Sequence, residues 1–79
     1  MRLTLFGRAD CHLCEDMLRG LAPLAVELGF SVDHVDVDSD SALQARYGDK
    51  VPVLADPEGR EICHGRLDLE ALRRRLAVE

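Results

Sequence analysis

Apolar and polar positions alternate at the start of the chain, with Leu3 and Leu5 set between Arg2 and Thr4 and Gly7 closing the run. A period of two predicts a strand over 2–6. From Cys14 onward the period lengthens: Cys14, Leu18, Leu21, Ala25 and Leu28 step by four and three, which traces one face of a helix that stops at Gly29. Gly20 and Pro23 interrupt this stretch. Proline has no N–H to bond the carbonyl four residues back, so a kink or break is expected near Arg19 and Gly20.

Positions 30–37 read as a second strand through Val32, Val35 and Val37, although the phase slips between Val32 and Val35. One bulge, or burial on both faces, would account for the slip. Asp38-Ser39-Asp40-Ser41 then offers caps for a short helix through Ala42, Leu43, Ala45, Arg46 and Tyr47, closed by Gly48. These acids are read as caps rather than metal ligands. A third strand covers 51–55, Asp56-Pro57-Glu58-Gly59 has the residues of a type I turn, and a fourth strand lies near 60–64. After Gly65 a last helix is expected to carry Leu69, Leu72 and Leu76 inward, with Asp68 and Glu70 near its start. Arg73, Arg74 and Arg75 are read as a solvated helix end matched to the dipole.

The predicted class is therefore α/β: strand, helix, strand, helix, strand, strand, helix, folded as a four-stranded mixed sheet flanked by helices. A right-handed crossover makes the first two strands parallel, and the hairpin adds antiparallel neighbours.

Composition narrows what such a domain can do. With 79 residues there is room for one domain, 1–79, and a chain of this size hides only about 60% of its unfolded surface. A net charge of −5 speaks against a nucleic-acid partner, which calls for a basic footprint. The opening apolar run is too short for a secretory segment and no stretch approaches a membrane span, so a cytoplasmic protein without a membrane partner is expected. Three cysteines cannot pair completely, which suits a redox or metal role better than a structural framework. A bridge between Cys11 and Cys14 closes so short a loop that the chain-entropy model gives it only about 2 kcal/mol. It is a poor staple and a convenient switch.

Cys11-His12-Leu13-Cys14 follows the first strand and a short loop, which places Cys11 at the opening turn of the first helix. Thiols at helix N-termini, and in Cys-x-x-Cys motifs, have lowered pKa values, and the thiolate is the species that attacks a disulfide. Arg8 and the helix dipole favour the Cys11 thiolate, while Asp10, Glu15 and Asp16 oppose it, so a Cys11 pKa of roughly 7 is expected. Cys11 precedes the apolar stripe and should be exposed; Cys14 begins the stripe and should be shielded.

Three landmarks together resemble a glutaredoxin, of the small single-domain type within the thioredoxin superfamily: Cys11-His12-Leu13-Cys14, then Val51-Pro52-Val53-Leu54 after Arg46-Tyr47-Gly48, then Gly65 before the last helix. The likeness covers nearly the whole chain. It implies a thioredoxin fold, with Cys11 as the attacking thiolate and Cys14 as the resolving thiol. It also implies a cis peptide at Pro52, backbone pairing of an extended substrate at Val51, and a place for Gly65 in the substrate site. Arg8 stands where glutaredoxins often carry a lysine that approaches a glutathione carboxylate. His12 and Leu13 replace the family's usual proline and aromatic residue. His64-Gly65 replaces a glycine pair, and of the positions that would hold the glutamyl end of glutathione only Gly65 and Asp68 match. The implied activity is reduction or exchange of protein or glutathione mixed disulfides. Glutathione or a thiol reductase would be the electron donor, to a monomer with no bound cofactor.

The remaining candidates read more plainly. His12 is either a stabiliser of the Cys11 thiolate or an exposed residue with no role. His34 is expected to be a packed or surface residue, and Cys63 a small apolar residue packed in a strand, with a third redox thiol as its sharper alternative. Two other function classes compete. Cys11, Cys14, Cys63 and a histidine could form a zinc site, or the thiolates a shared iron–sulfur cluster; adjacent Cys63 and His64 point to opposite faces of a strand, which disfavours the first. A thioredoxin-fold module that only binds partners is the other, and retention of both motif cysteines speaks against it.

Overall fold

The computed structural model describes residues 1–77. Its elements follow the expected order: β1 (Arg2–Gly7), α1 (His12–Leu28), β2 (Ser31–Asp36), a 3-10 turn (Val37–Ser39), α2 (Ser41–Tyr47), β3 (Val53–Ala55), β4 (Glu61–His64) and α3 (Leu69–Ala77). The sheet order is β2-β1-β3-β4, with β1 parallel to β2 and antiparallel to β3, and β3 antiparallel to β4. This is the four-stranded mixed sheet expected from the element order.

Strand alternation divides the core between the two faces of this sheet. On one face Leu3, Leu5, Leu54 and Cys63 pack with Met17 and Leu21 of α1 and Leu72 of α3. On the other, Val53 joins Val37 and Tyr47, with Phe6, Leu43 and Val51 packed against them. Phe6 and Tyr47 stack with ring centroids 4.3 Å apart, which fixes α2 on that face. Burying a leucine such as Leu72 contributes roughly 2 kcal/mol or more, so each helix is held mainly by its apolar stripe.

Several expectations are corrected by this packing. The first helix does not break: it runs unbroken in secondary structure from His12 to Leu28 with Pro23 inside it. Proline at position 23 cannot donate to the Arg19 carbonyl, and the buried Met17 and Leu21 hold the turns before it. The inward stripe includes Met17 at 2% exposure, whereas Leu18 is 39% exposed. The second strand is shorter than expected, because Val37 opens a 3-10 turn capped by the Asp36 carboxylate, which accepts from the Asp38 N–H at 2.9 Å. Its phase slip is not a bulge, since β1 and β2 pair in unbroken register. Val32 and Val35 lie on opposite faces and each is half-buried. A register irregularity occurs instead between Leu54 and Ala55.

Asp40 caps α2, its carboxylate accepting from the Ala42 N–H at 2.8 Å, and Asp68 accepts from the Ala71 N–H at 3.0 Å at the start of α3. Within the acidic run Asp40 is thus a cap, as expected, while Asp38 accepts from Arg8 and Gln44. Leu69 is exposed rather than inward, and Arg75 is not a solvated helix end: it pairs with Asp56, which is 4% exposed. Asp56 also accepts from the N–H groups of Glu58 and Arg60, at 3.0 and 2.8 Å, so one carboxylate ties the hairpin turn to the end of α3.

Candidate active site

The loop from β1 to α1 sets Cys11 at the helix start. Asp10 takes a left-handed backbone (φ 56°), a conformation that aspartate tolerates better than most residues. Cys11 follows in extended conformation as the N-cap of α1. Its Sγ accepts from the Cys14 N–H at 3.2 Å, and its carbonyl accepts from the Glu15 N–H at 3.1 Å. A sulfur held there faces the positive end of the helix dipole, the environment that favours a thiolate. The two cysteines are joined as a disulfide, with Cα atoms 5.2 Å apart. Cys14 is buried, as the stripe predicts, whereas Cys11 is half-buried rather than exposed.

The surrounding charges are largely engaged with one another. Glu15 and Asp16 pair with Arg19 at 3.7 and 3.1 Å, and His12 Nε2 lies 3.4 Å from Asp16 while its side chain stays exposed. Glu15 and Asp16 therefore weigh less against a Cys11 thiolate than their charges alone suggest.

The Val51–Pro52 peptide is cis. The Pro52 carbonyl accepts from the Gly65 N–H at 2.8 Å, and Gly65 has a φ of 76°, so the loop before β3 and the turn before α3 are fastened together at a position that favours glycine. Gly65 in turn lines a depression with Leu13, Asp16, Met17, Arg66 and Leu67. Leu13, one of its lining residues, lies between the motif cysteines in sequence. Gly20 lets α1 approach that wall closely: a Cβ there would stand 3.1 Å from Leu67 Cδ2.

Arg8 lies elsewhere. Its Nη2 donates to Asp38 at 3.1 Å, and Asp38 also accepts from Gln44 at 2.9 Å. The Gln44 bond first, with Arg8 after it, lowers the Asp38 pKa against the opposing effect of burial. Arg8 lines a second depression with Ala9, His34 and Asp36, of which Gly65 is not a part. Cys63 is buried in the core cluster, and burial pushes its thiol pKa up although the Asp68 backbone N–H partly offsets this. His64 points outward to Glu61 at 2.6 Å, and Lys50 reaches the same carboxylate at 2.8 Å. Lys50 first and His64 second lower the Glu61 pKa. Among the described residues no group of three or more His, Cys, Asp or Glu converges to hold a metal ion.

One contact escapes the sequence reading. A Cβ on Gly7 would stand 3.1 Å from Cys14 Sγ and 3.2 Å from His34 Nε2. Gly7 is thus a close neighbour of Cys14 as well as a strand end, and Cys14 Sγ and His34 Nε2 both lie close to the same point above it. The signal was available in the parallel pairing of β1 with β2: Leu5 and His34 are partners, so their side chains share the face that α1 covers.

The profile of the Glutaredoxin-like domain (DUF836) matches residues 2–77. The chain belongs to this glutaredoxin-like family. Among solved structures, the solution structure of protein Ne2328 from Nitrosomonas europaea is 35% identical with a TM-score of 0.88, the match covering 96% of this chain and 91% of that one. Protein XcR50 from X. campestris, in its X-ray structure, is 40% identical with a TM-score of 0.78, covering 98% and 97%. Thioredoxin 1 from Thermosipho africanus, at 19% identity, shares the fold with a TM-score of 0.66 over 99% and 97% of the two chains. No curated protein matches the sequence. The protein is therefore a glutaredoxin-like domain of thioredoxin fold, and its cysteine pair is compatible with redox activity. Among the described residues no helix is long and apolar enough to cross a membrane.

Proposed function

We propose that the protein is a thiol-disulfide oxidoreductase that cycles Cys11 and Cys14 between dithiol and disulfide. The observation that carries this reading is the Cys11–Cys14 bridge at the N-cap of α1, with one sulfur half-buried and the other enclosed. The Cys11 thiolate attacks a substrate disulfide, forming a mixed disulfide as one substrate thiolate leaves. The Cys14 thiolate then attacks Cys11 Sγ, closing the internal bridge and releasing the second substrate thiolate. Two electrons pass to the substrate. Glutathione or a thiol reductase restores the dithiol.

The substrate is a protein disulfide or a glutathione mixed disulfide, seated in the depression between Leu13 and Gly65. Val51, ahead of the cis Pro52, offers backbone groups to an extended substrate. Arg8 serves a carboxylate of glutathione only if it releases Asp38. The protein acts as a cytoplasmic monomer, a single domain without a bound cofactor, in electron transfer that maintains cell redox balance.

Substituting one cysteine at a time separates the roles. Cys14→Ser should accumulate a stable mixed disulfide on Cys11 with a peptide disulfide or oxidised glutathione, read by mass spectrometry. Cys11→Ser should exchange nothing. Turnover that survives without Cys11 would overturn the proposal.

A further inference from the structure

We propose that His34 is the proton relay for Cys14, taking the thiol proton when the mixed disulfide is resolved and returning it when the bridge is reduced. The inference rests on the exchange chemistry proposed above. Its ground is the pair of contacts at Gly7: Cys14 Sγ and His34 Nε2 stand 3.1 and 3.2 Å from one point above that glycine, so the two atoms are separated by at most about twice that distance. That span suits direct approach or transfer through one water, the two arrangements open to a general base. Glycine at position 7 keeps the gap open, since any larger residue would place a carbon in it.

Cys14 needs such a partner more than Cys11 does. Cys11 Sγ accepts from the Cys14 N–H at the helix end, whereas Cys14, the third residue of α1, is buried at 3% exposure. A buried thiol resists ionisation unless a base takes its proton. His34 is exposed, on edge strand β2, and can pass that proton on to solvent. Imidazole does this near neutral pH. The charged groups lining its depression are Arg8 and Asp36; Arg8 is paired with Asp38, and the Asp36 carboxylate accepts from the Asp38 N–H. Both groups are therefore engaged with Asp38 rather than with His34.

The balanced step begins from the mixed disulfide of Cys11. The proton of Cys14 S–H passes to His34 Nε2, and the Cys14 thiolate attacks Cys11 Sγ. The Cys11–Cys14 bond forms, the bond from Cys11 to the substrate sulfur breaks, and the substrate leaves as a thiolate. The imidazolium then releases its proton to water.

Stopped-flow reaction of the reduced protein with dithio-bis-nitrobenzoate reads the two half-reactions separately, because each releases one coloured thiolate. The first release reports attack by Cys11, and its dependence on Cys11 tests the oxidoreductase proposal itself. The second reports resolution by Cys14. His34→Gln should leave the first release unchanged and slow the second about 100-fold at neutral pH, the lower end of what a positioned acid–base group contributes. The pH profile of the second phase should differ between wild type and the variant. In H34Q it should keep rising toward the thiol range, and added imidazole should restore it in His34→Ala. A second phase within about twofold of wild type would overturn the relay. Slowing without a changed pH profile or imidazole rescue would overturn it too, leaving His34 a structural neighbour.

Discussion

Replacing Asp56 with alanine tests the ion pair that ties the hairpin turn to α3. The carboxylate is 4% exposed and holds the Glu58 N–H, the Arg60 N–H and the Arg75 guanidinium. Each lost backbone bond costs about 1 kcal/mol or less, because the turn N–H groups can reach water. Stranding a buried partner costs about 3–5 kcal/mol in full burial. Arg75 is 32% exposed and rehydrates, so roughly 1–2 kcal/mol applies here. The total for Asp56→Ala is about 3 kcal/mol, a large share of the roughly 4–12 kcal/mol available to a chain of this length. Urea unfolding should show it as a drop of about 2–3 M in midpoint, at a slope near 1–1.5 kcal/mol per M. Asp56→Asn keeps an acceptor and should lose about 1 kcal/mol.

The same carboxylate gives a pH signature. Burial pushes its pKa up, but the Arg60 N–H, the Arg75 guanidinium and the Glu58 N–H outweigh that effect and hold it below the ordinary carboxylate value. A depressed folded pKa stabilises the fold fully above the unfolded value, about 3.9, and that stability disappears as pH falls through the folded value. The stability gap between wild type and Asp56→Asn should therefore be constant at neutral pH and close below about pH 4. An Asp56→Ala variant within about 0.5 kcal/mol of wild type, or a zero coupling to Arg75→Met in a double-mutant cycle, would refute the reasoning.

Two further outcomes follow from the site's packing. Gly7→Ala introduces a Cβ 3.1 Å from Cys14 Sγ and 3.4 Å from Cys14 Cβ, so the oxidised protein should lose about 1–2 kcal/mol in urea unfolding; an unchanged midpoint would mean that Cys14 shifts freely. Cys63, buried and with its thiol pushed up, should resist iodoacetamide in the folded protein and react once urea unfolds it. Alkylation of folded Cys63 at the rate of an exposed thiol would contradict its place in the core.

The elements were legible because local rules and tertiary packing agree over most of the chain. Leu3 and Leu5 alternate along a strand whose more deeply buried face they form, and Asp40 and Asp68 cap the helices that follow them. Disagreements arose where tertiary contact outweighs a local rule. Pro23 argues for a break that the buried Met17 and Leu21 do not allow, and Arg75 resembles its solvated neighbours until the hairpin brings Asp56 beneath it. The motif cysteines announce themselves by spacing. His34 does not, because its meaning depends on pairing with Leu5 of β1 and on the absence of a side chain at Gly7.

The central claim is that Cys11 and Cys14 form a working two-electron couple. Mass spectrometry of the protein equilibrated across a glutathione redox series, with sites mapped by alkylation, tests it most directly. A Cys11–Cys14 disulfide with a midpoint in the roughly −270 to −200 mV range of thioredoxins and glutaredoxins is the predicted result. Cysteines that stay reduced throughout the series, or bound metal in the purified protein, would contradict it.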